Sequence, residues 1–411
     1  MVAPHAQRPV KPDIIFGTAR QAQEASKTLG FEAVIDSTLG ALTDDYGKLT
    51  FIETVMDHIR KVSNEDIGAY APIAGLPDFL EAVKYATFYD NPPKAFIKAI
   101  ATPGGTGALK HAVGIYSNPG ESVLTSDWYW GPYHTIADEH GRKLETYSLF
   151  NEKGGFNLES FKAKVDDLMT RQDRLLILLN SPAHNPTGYS LTMEEWEQVV
   201  SHLKDHSNNE TKKIVLFVDI AYIDFSGPLQ ESRAFFSHFN NLPDNFLVLV
   251  GYSMSKGYTL YGMRSGAILC VTQNEAIAEE FFHACSYSNR GAWSNGTRAA
   301  QRTLVDVVNS PELLSKVNAE RDVYRQMLAA RCKAFTEEAA RVGLVTAPFH
   351  SGFFISIPCK KTFEVYEELK KRNLFLIPLA AGLRFATCAV SESKCRKAPS
   401  IIKEVLEMIE G

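Results

Sequence analysis

A lysine just past a buried strand can do chemistry that a surface lysine cannot. One such lysine ends the run Tyr252-Ser253-Met254-Ser255-Lys256, after the apolar stretch 246–250 and before Gly262-Met263-Arg264-Ser265-Gly266. An α/β sheet places its ligands at the carboxyl ends of its strands, where this lysine falls. There an amine can condense with an aldehyde to a Schiff base, once its surroundings lower its pKa. Arg264 and the hydroxyls of Ser253 and Ser255 can hold a phosphate on the same rim. A lone lysine in a loop is more often a plain surface residue, so the reading depends on partners.

Three further segments supply them. The apolar run 214–218 ends in Asp219, with Tyr222 three residues on. A carboxylate at a strand end can pair with a protonated ring nitrogen and keep a pyridinium charged as an electron sink. Tyr222 can donate to a phenolate oxygen of the same ring. Taken in isolation, Asp219 is as readily a helix cap. The run 175–179 leads into Asn180-Ser181-Pro182-Ala183-His184-Asn185-Pro186-Thr187-Gly188, a loop that its prolines and glycine make rigid. Asn185 can bridge a ring oxygen and a substrate carboxylate. Finally, Thr102-Pro103-Gly104-Gly105-Thr106-Gly107-Ala108-Leu109-Lys110 is a glycine-rich turn entering a helix, whose free amides and Thr106 form an anion site. It is neither a Walker A motif nor a dinucleotide fingerprint, and alone it is a common kind of turn.

These segments need a scaffold that brings their strand ends to one edge. Short runs at 122–125, 175–179, 214–218, 246–250 and 267–271 are apolar on both faces, as in a buried, largely parallel sheet. Amphipathic stretches separate them, for example 193–203, where Thr192 and Glu195 form a capping box. Strands alternating with helices give an α/β fold with helices on both faces. Roughly the last ninety residues change rhythm. A long helical stretch at 298–337 breaks near Pro311, strand-like pieces follow at 343–345 and 352–358, and a helix at 363–372 has Thr362 as its N-cap. The expected organisation is an N-terminal arm and part of a small domain at 1–48, a large domain at 49–310, and a small α+β domain at 311–411. The arm joins that small domain or a neighbouring subunit.

Composition narrows the class. The chain has 411 residues, 45% hydrophobic, 11% aromatic and 22% charged, with a formal charge of −5. It is long enough for two or three domains and too apolar for a disordered chain. No apolar run approaches the length of a bilayer span, and no Lys/Arg cluster points to nucleic acid. The six cysteines (270, 285, 332, 359, 388 and 395) lack metal-ligand spacing. They read as reduced thiols of a cytoplasmic protein, without a disulfide framework and with no metal site expected. Residues 1–17 contain no apolar signal-peptide core.

In their order, HNPTG (184–188), D-x-x-Y (219–222), S-x-S-K (253–256) and an arginine eight residues after that lysine resemble the fold-type-I, pyridoxal-phosphate-dependent aminotransferases of class I/II. The aspartate/aromatic aminotransferase branch is the most similar, and the likeness runs from Ile15-Phe16-Gly17 to Arg384. It implies a large domain with a mainly parallel sheet, a smaller α+β domain, and pyridoxal 5'-phosphate as cofactor. Lys256 is then the Schiff-base lysine that moves the proton at the substrate α-carbon. Asp219 pairs with the ring nitrogen, and Tyr222 and Asn185 contact the ring oxygen. Ser253, Arg264, Gly105 and Thr106 hold the phosphate, with Ser255 a further candidate. Gly40 lies by the substrate carboxylate, and Arg384, in Gly382-Leu383-Arg384-Phe385-Ala386, clamps it; a forked guanidinium suits a planar carboxylate. Trp130 stacks on the ring, although one extra residue between it and His134 lets Tyr133 compete for that place. His134 supports Asp219 from behind. Tyr70 matches a tyrosine that reaches the phosphate of a neighbouring subunit, which implies a homodimer with shared active sites.

One position departs from the branch. Dicarboxylate-specific members carry an arginine three residues before a Tyr-Ser-Asn segment; here the segment is Tyr287-Ser288-Asn289 and that position is Ala284. A methyl group cannot pair with a carboxylate, and an unpaired buried charge is costly. The expected reaction is therefore transfer of the amino group from an aromatic or neutral L-amino acid to a 2-oxo acid such as 2-oxoglutarate, by a ping-pong Schiff-base mechanism. Phe16 and Tyr287 suit such a pocket if both line it. The alternatives are an aspartate aminotransferase, in which Arg290 replaces the missing arginine, and a different reaction of the same cofactor, β-elimination or decarboxylation. A binding protein that only kept the fold is disfavoured by the completeness of the set.

Overall fold

Each apolar run becomes a strand somewhat longer than the run itself, because the flanking polar residue at either end still pairs. Ser122–Ser126, Arg174–Asn180, Lys213–Asp219, Phe246–Ser253 and Gly266–Thr272 belong to one seven-stranded sheet. Phe96–Thr102 and Lys143–Tyr147 complete it. Both begin with exposed or half-buried residues, so neither shows as an apolar run. From one edge the order is Phe96–Thr102, Gly266–Thr272, Phe246–Ser253, Lys213–Asp219, Arg174–Asn180, Ser122–Ser126, Lys143–Tyr147. Only Gly266–Thr272 runs against the rest. Asn180, Asp219 and Ser253 therefore finish at one edge, together with Thr102 and the start of Gly266–Thr272.

The computed structural model describes residues 1–8 and 13–411, so positions 9–12 of the expected arm lie outside the described residues. The chain packs as two compact units. The larger comprises Phe51–His184 and Tyr189–Arg325 and contains the seven-stranded sheet. Its core includes Leu109, Val113, Leu176, Leu178, Phe217 and Leu249, all buried between the sheet and its helices. The capping box is present at the start of Met193–His206: Thr192 accepts from the Glu195 amide, and Glu195 accepts from the Thr192 amide.

The smaller unit comprises Met1–Thr50, Asn185–Gly188 and Gln326–Gly411. Its three-stranded antiparallel sheet has Gly382–Ala386 between Ile377–Leu379 and Phe354–Pro358. Ile35–Asp36 pairs in parallel with Leu374–Phe375. Residues expected as an arm include a sixteen-residue helix, Ile14–Leu29, capped by Asp13, which accepts from the Phe16 amide. Thr18 Oγ1 lies 2.7 Å from Tyr366 Oη, and Ala22 and Val34 pack with Phe375. Around the C-terminal helices the break expected near Pro311 is present and two other local expectations change. The stretch 298–337 is two helices, Arg298–Asn309 and Pro311–Val342, with Pro311 in the first turn of the second, where its missing N–H is harmless. Residues 343–345 form no strand. Thr362 is not a cap: it is the first residue of Thr362–Lys371, and its hydroxyl donates to the Cys359 carbonyl. All six cysteines are buried free thiols. Among the described residues no helix is long and apolar enough to cross a membrane.

Candidate active site

Strand Phe246–Ser253 turns at once into the single helical turn Met254–Gly257, which carries Lys256. Ser253 caps that turn by accepting from the Ser255 amide at 3.2 Å. Arg264 holds a left-handed backbone (φ 50°) and donates through Nη1 to Ser255 Oγ at 3.2 Å and to the Tyr261 carbonyl at 3.1 Å. Helix Gly104–Tyr116 starts beside it. Its N-cap is Pro103, and no side chain caps its first turn, so the helix start keeps its capacity for an anion. A Cβ on Gly104 would stand 2.9 Å from Arg264 Nη2, so the glycine lets the guanidinium approach the helix start. Gly105 sits at that start with Thr106, which is exposed. Ser253, Arg264, Gly105 and Thr106 thus belong to neighbouring elements of one rim.

The other half of the rim is built around Asp219. The register places Asp219 opposite Asn180 on one side and Gly251 on the other. Its Oδ2 accepts from the Tyr133 hydroxyl at 2.8 Å and its Oδ1 from the Ala221 amide at 3.1 Å. Burial pushes the Asp219 carboxyl above the usual carboxylate range, and these two donors pull it back. Burial, and then the charge of Asp219, hold the Tyr133 hydroxyl well above its usual range, so it stays a donor. This corrects one expectation. His134 is exposed and does not support Asp219; Tyr133 does. The half-buried Trp130 stands edge-on to Tyr133, their ring centres 6.0 Å apart. Tyr222 is buried beyond the end of the Asp219 strand. Lys256 Nζ lies 5.6 Å from the centre of its ring and 4.8 Å from that of Tyr261.

Behind Lys256 stands a buried ion cluster that the sequence reading missed. Arg233 Nη2 donates to Asp224 Oδ1 at 2.7 Å, and Arg321 Nη2 lies 3.6 Å from Asp224 Oδ2. Arg321 Nε donates to the Gly257 carbonyl at 2.7 Å, next to the lysine. A Cβ on Gly257 would overlap Asp224 Oδ2. Burial alone would raise the Asp224 carboxyl, but the charges of Arg321 and Arg233 hold it below the usual range. No spacing pairs Asp224 with an arginine almost a hundred residues away, so sequence offered no signal here.

In the smaller unit Arg384 occupies the central strand, 4% exposed, with Nη2 donating to the Thr38 carbonyl at 2.7 Å. Its guanidinium lies 4.5 Å from the centre of the Phe354 ring. Gly40 faces the same ring: a Cβ there would stand 2.6 Å from Phe354 Cζ. Across the strands Arg384 pairs with Ser356, whose hydroxyl donates to the Pro186 carbonyl at 2.8 Å. Asn185, the residue before Pro186, is buried. Gly188 closes the segment with φ +73°, and its carbonyl accepts from the amides of His350 and Ser351, each at 3.0 Å. Arg384, Gly40 and Asn185 are thus fixed on one small framework.

Four expected positions fall outside these clusters. Tyr70 and Tyr287 are each 86% exposed, and Phe16 is 67% exposed. Ala284 lines a cavity with Arg174, Lys213 and Leu247, at the opposite end of the strands from Asp219. Helix Glu275–Ala292 runs straight through the Tyr-Ser-Asn segment. Asn289 is buried in it, accepts through Oδ1 from His111 Nε2 at 2.7 Å, and donates through Nδ2 to the carbonyls of Ile73 and Ala101. Arg290 is exposed on that helix and donates to Ser294 Oγ at 2.8 Å.

The sequence profile described as aminotransferase class I and II matches residues 33–402. The chain belongs to the class I and II aminotransferases. The aromatic-amino-acid aminotransferase of Paracoccus denitrificans is 29% identical over 296 residues, covering 71% of this chain and 72% of that one. The aspartate aminotransferase of Pseudomonas aeruginosa is 28% identical over 316 residues, covering 75% and 77%. A crystal structure of an aminotransferase from Anaerococcus prevotii superposes with a TM-score of 0.97 at 39% identity, over 99% of both chains. The fold is that of the fold-type-I pyridoxal-phosphate enzymes, and this aminotransferase uses that cofactor. The rim suits it: the uncapped helix start and Arg264 can take a phosphate. Asp219, buried and accepting from two neutral donors, would be matched by a protonated ring nitrogen.

Proposed function

We propose that this aminotransferase takes the amino group from an aromatic or other neutral L-amino acid and passes it to a 2-oxo acid such as 2-oxoglutarate. The donor preference rests on relatives of this donor class; Ala284, which lines a cavity at the opposite end of the strands from Asp219, does not carry it. The aromatic-amino-acid aminotransferase of Paracoccus denitrificans and a tyrosine aminotransferase of Klebsiella pneumoniae, 27% identical over 320 residues, support the same donor class.

The bound cofactor supplies the electron sink that makes the α-proton of an amino acid removable. Lys256 would hold the cofactor through its aldehyde and would carry the proton at the substrate α-carbon. Asp219, whose carboxylate accepts from Tyr133 and Ala221, would hold the proton on the ring nitrogen. Tyr222 and Asn185 steady the ring oxygen, Trp130 covers the ring face, and Ser253, Arg264, Gly105 and Thr106 anchor the phosphate. Arg384 grips the α-carboxylate with its fork, with the Gly40 backbone alongside, while Nη2 remains tied to Thr38. Tyr70, exposed in the single chain, supports a homodimer in which it reaches the partner's phosphate. The reduced cysteines favour the cytoplasm.

A second reading, aspartate as donor, draws on the Pseudomonas relative and on Arg290, a cation three residues from Tyr287. The deciding experiment adds single L-amino acids, without acceptor, to the cofactor-loaded protein and follows cofactor absorbance. Phenylalanine or tyrosine should convert the cofactor at least about tenfold faster than aspartate. Faster conversion by aspartate would overturn the donor preference. Ammonia or CO₂ in place of a keto acid would replace transamination by elimination or decarboxylation.

A further inference from the structure

Helices Leu158–Arg171 and Met193–His206 pack side by side in the larger unit, and each leads into the amino end of a strand of the sheet. Their carboxyl-terminal halves therefore lie at the edge opposite the rim that carries Asp219 and Lys256. There three potential metal ligands meet: Asp166 on the first helix, and His202 and His206, one turn apart, on the second. Histidines at i and i+4 share a helix face, the spacing on which two imidazoles can reach one ion.

The geometry is that of a ligand set. His206 Nε2 stands 2.7 Å from Asp166 Oδ1 and His202 Nε2 stands 2.9 Å from the same oxygen. Only the His206 contact has hydrogen-bond geometry. The His202 Nε2 atom is buried and has no hydrogen-bond partner, although it lies 2.9 Å from that oxygen. The two rings are 5.1 Å apart, nearly perpendicular, and all three ligand atoms lie within 4.8 Å of one another. Ligands about 2.0–2.2 Å from an ion stand roughly 2.9–3.5 Å from each other. Small side-chain rotations reach that spacing. His206 is also the last residue of its helix, where the backbone carbonyls present a negative end to a cation.

We infer that Asp166, His202 and His206 form a binding site for a divalent transition-metal ion of the zinc class. Two imidazole nitrogens and one carboxylate oxygen suit zinc, nickel, cobalt or copper, and a magnesium or calcium ion would want oxygens throughout. The ligands' side chains are 55%, 14% and 22% exposed, in the order Asp166, His202, His206, so solvent can complete the coordination shell. The site lies away from the cofactor rim and takes no part in the proposed transamination. Cysteine spacing, on which no metal site was expected, carries no information about it. The His-x-x-x-His spacing was a legible signal, but its third ligand comes from another helix.

The test uses the full chain loaded with cofactor, stripped of metal by chelator and dialysed into a non-coordinating buffer at neutral pH. Zinc chloride is titrated calorimetrically into the wild type and into His206→Ala, His202→Gln and Asp166→Asn, each first shown to be folded by its melting curve. The expected result is one high-affinity zinc per wild-type chain. Each variant should bind at least about tenfold more weakly, since even outer-shell partners of a metal count on that scale. His202→Gln keeps much of the side-chain volume and serves if His206→Ala fails to fold. Cobalt added to the wild type should give a visible ligand-field band that His206→Ala or His202→Gln abolishes. Equal zinc affinity in wild type and all variants, no zinc binding by the wild type, or equal affinity for magnesium would each overturn the inference.

Discussion

Removal of the Tyr133 hydroxyl tests whether Asp219 works as an ionised partner of the cofactor. In Tyr133→Phe the ring remains buried, but Asp219 Oδ2 loses the donor at 2.8 Å and the carboxylate keeps only the Ala221 amide at 3.1 Å. A hydrogen bond to a charged group is worth about 1.5–3 kcal/mol, and both atoms here are buried. The ionised form of Asp219 alone feels that loss, so its carboxyl, already raised by burial, rises further. The sign follows. A raised carboxyl pKa stabilises the folded cofactor-free protein only at low pH, and the contribution is lost as pH rises through the folded value. Cofactor-free Tyr133→Phe should therefore lose more stability than wild type between acid and neutral pH. In the loaded enzyme the same 1.5–3 kcal/mol appears as a fall in kcat/KM of about ten- to a hundredfold. The acid limb of the kcat/KM profile should also move to higher pH. The assay is kcat/KM against pH for a good donor, with the absorbance of the bound cofactor titrated in parallel. An unchanged acid limb together with an unchanged cofactor titration would refute the reasoning, because Asp219 would then not be the group that Tyr133 serves.

Two further outcomes follow from the packing. Gly257→Ala places a methyl group against Asp224 Oδ2, which Arg233 and Arg321 hold in place, so the turn carrying Lys256 must shift. Overpacking of this kind costs about 1–3 kcal/mol, read as a lower melting temperature together with a displaced cofactor absorbance band; a wild-type spectrum and melting curve would remove Asp224 as a support of Lys256. His111 is buried, with Nε2 on Asn289, and burial pushes its pKa down to about 4. A depressed histidine contributes stability that is full above the unfolded pKa of about 6.5 and is lost as pH falls towards about 4, an effect on the order of 3 kcal/mol. Denaturant unfolding at pH 7 and pH 4.5 should show that loss in wild type and a smaller one in His111→Gln, and equal losses would assign the acid sensitivity to other groups.

The parts of this protein that were legible in sequence share one property: the local chain determines them. Buried parallel strands are apolar on both faces, so Leu175 to Leu179 and Ile214 to Val218 announce themselves. The capping box of Thr192 and Glu195 closes within four residues, and it formed as read. Lys256 and Asp219 were legible because a strand end fixes where its next residues fall, and Arg264 because it stands just before the strand Gly266–Thr272. The strands Phe96–Thr102 and Lys143–Tyr147 were not, since edge strands with mixed exposure carry no such pattern.

What only the tertiary structure decided are the pairings between distant segments. The choice between Tyr133 and His134 behind Asp219 turned on which side of a short helix faces the sheet, and one residue of rotation buries one and exposes the other. The support of Lys256 by Asp224 and Arg321 joins residues almost a hundred apart, and only packing makes such burial of charge tolerable. The meeting of Asp166 with His202 and His206 likewise required two helices to lie side by side. The chemistry available at each strand end could be read from the sequence, because residue type and strand direction are local. The structure decided which side chains serve one another, because burial and hydrogen-bond geometry are properties of the packed chain.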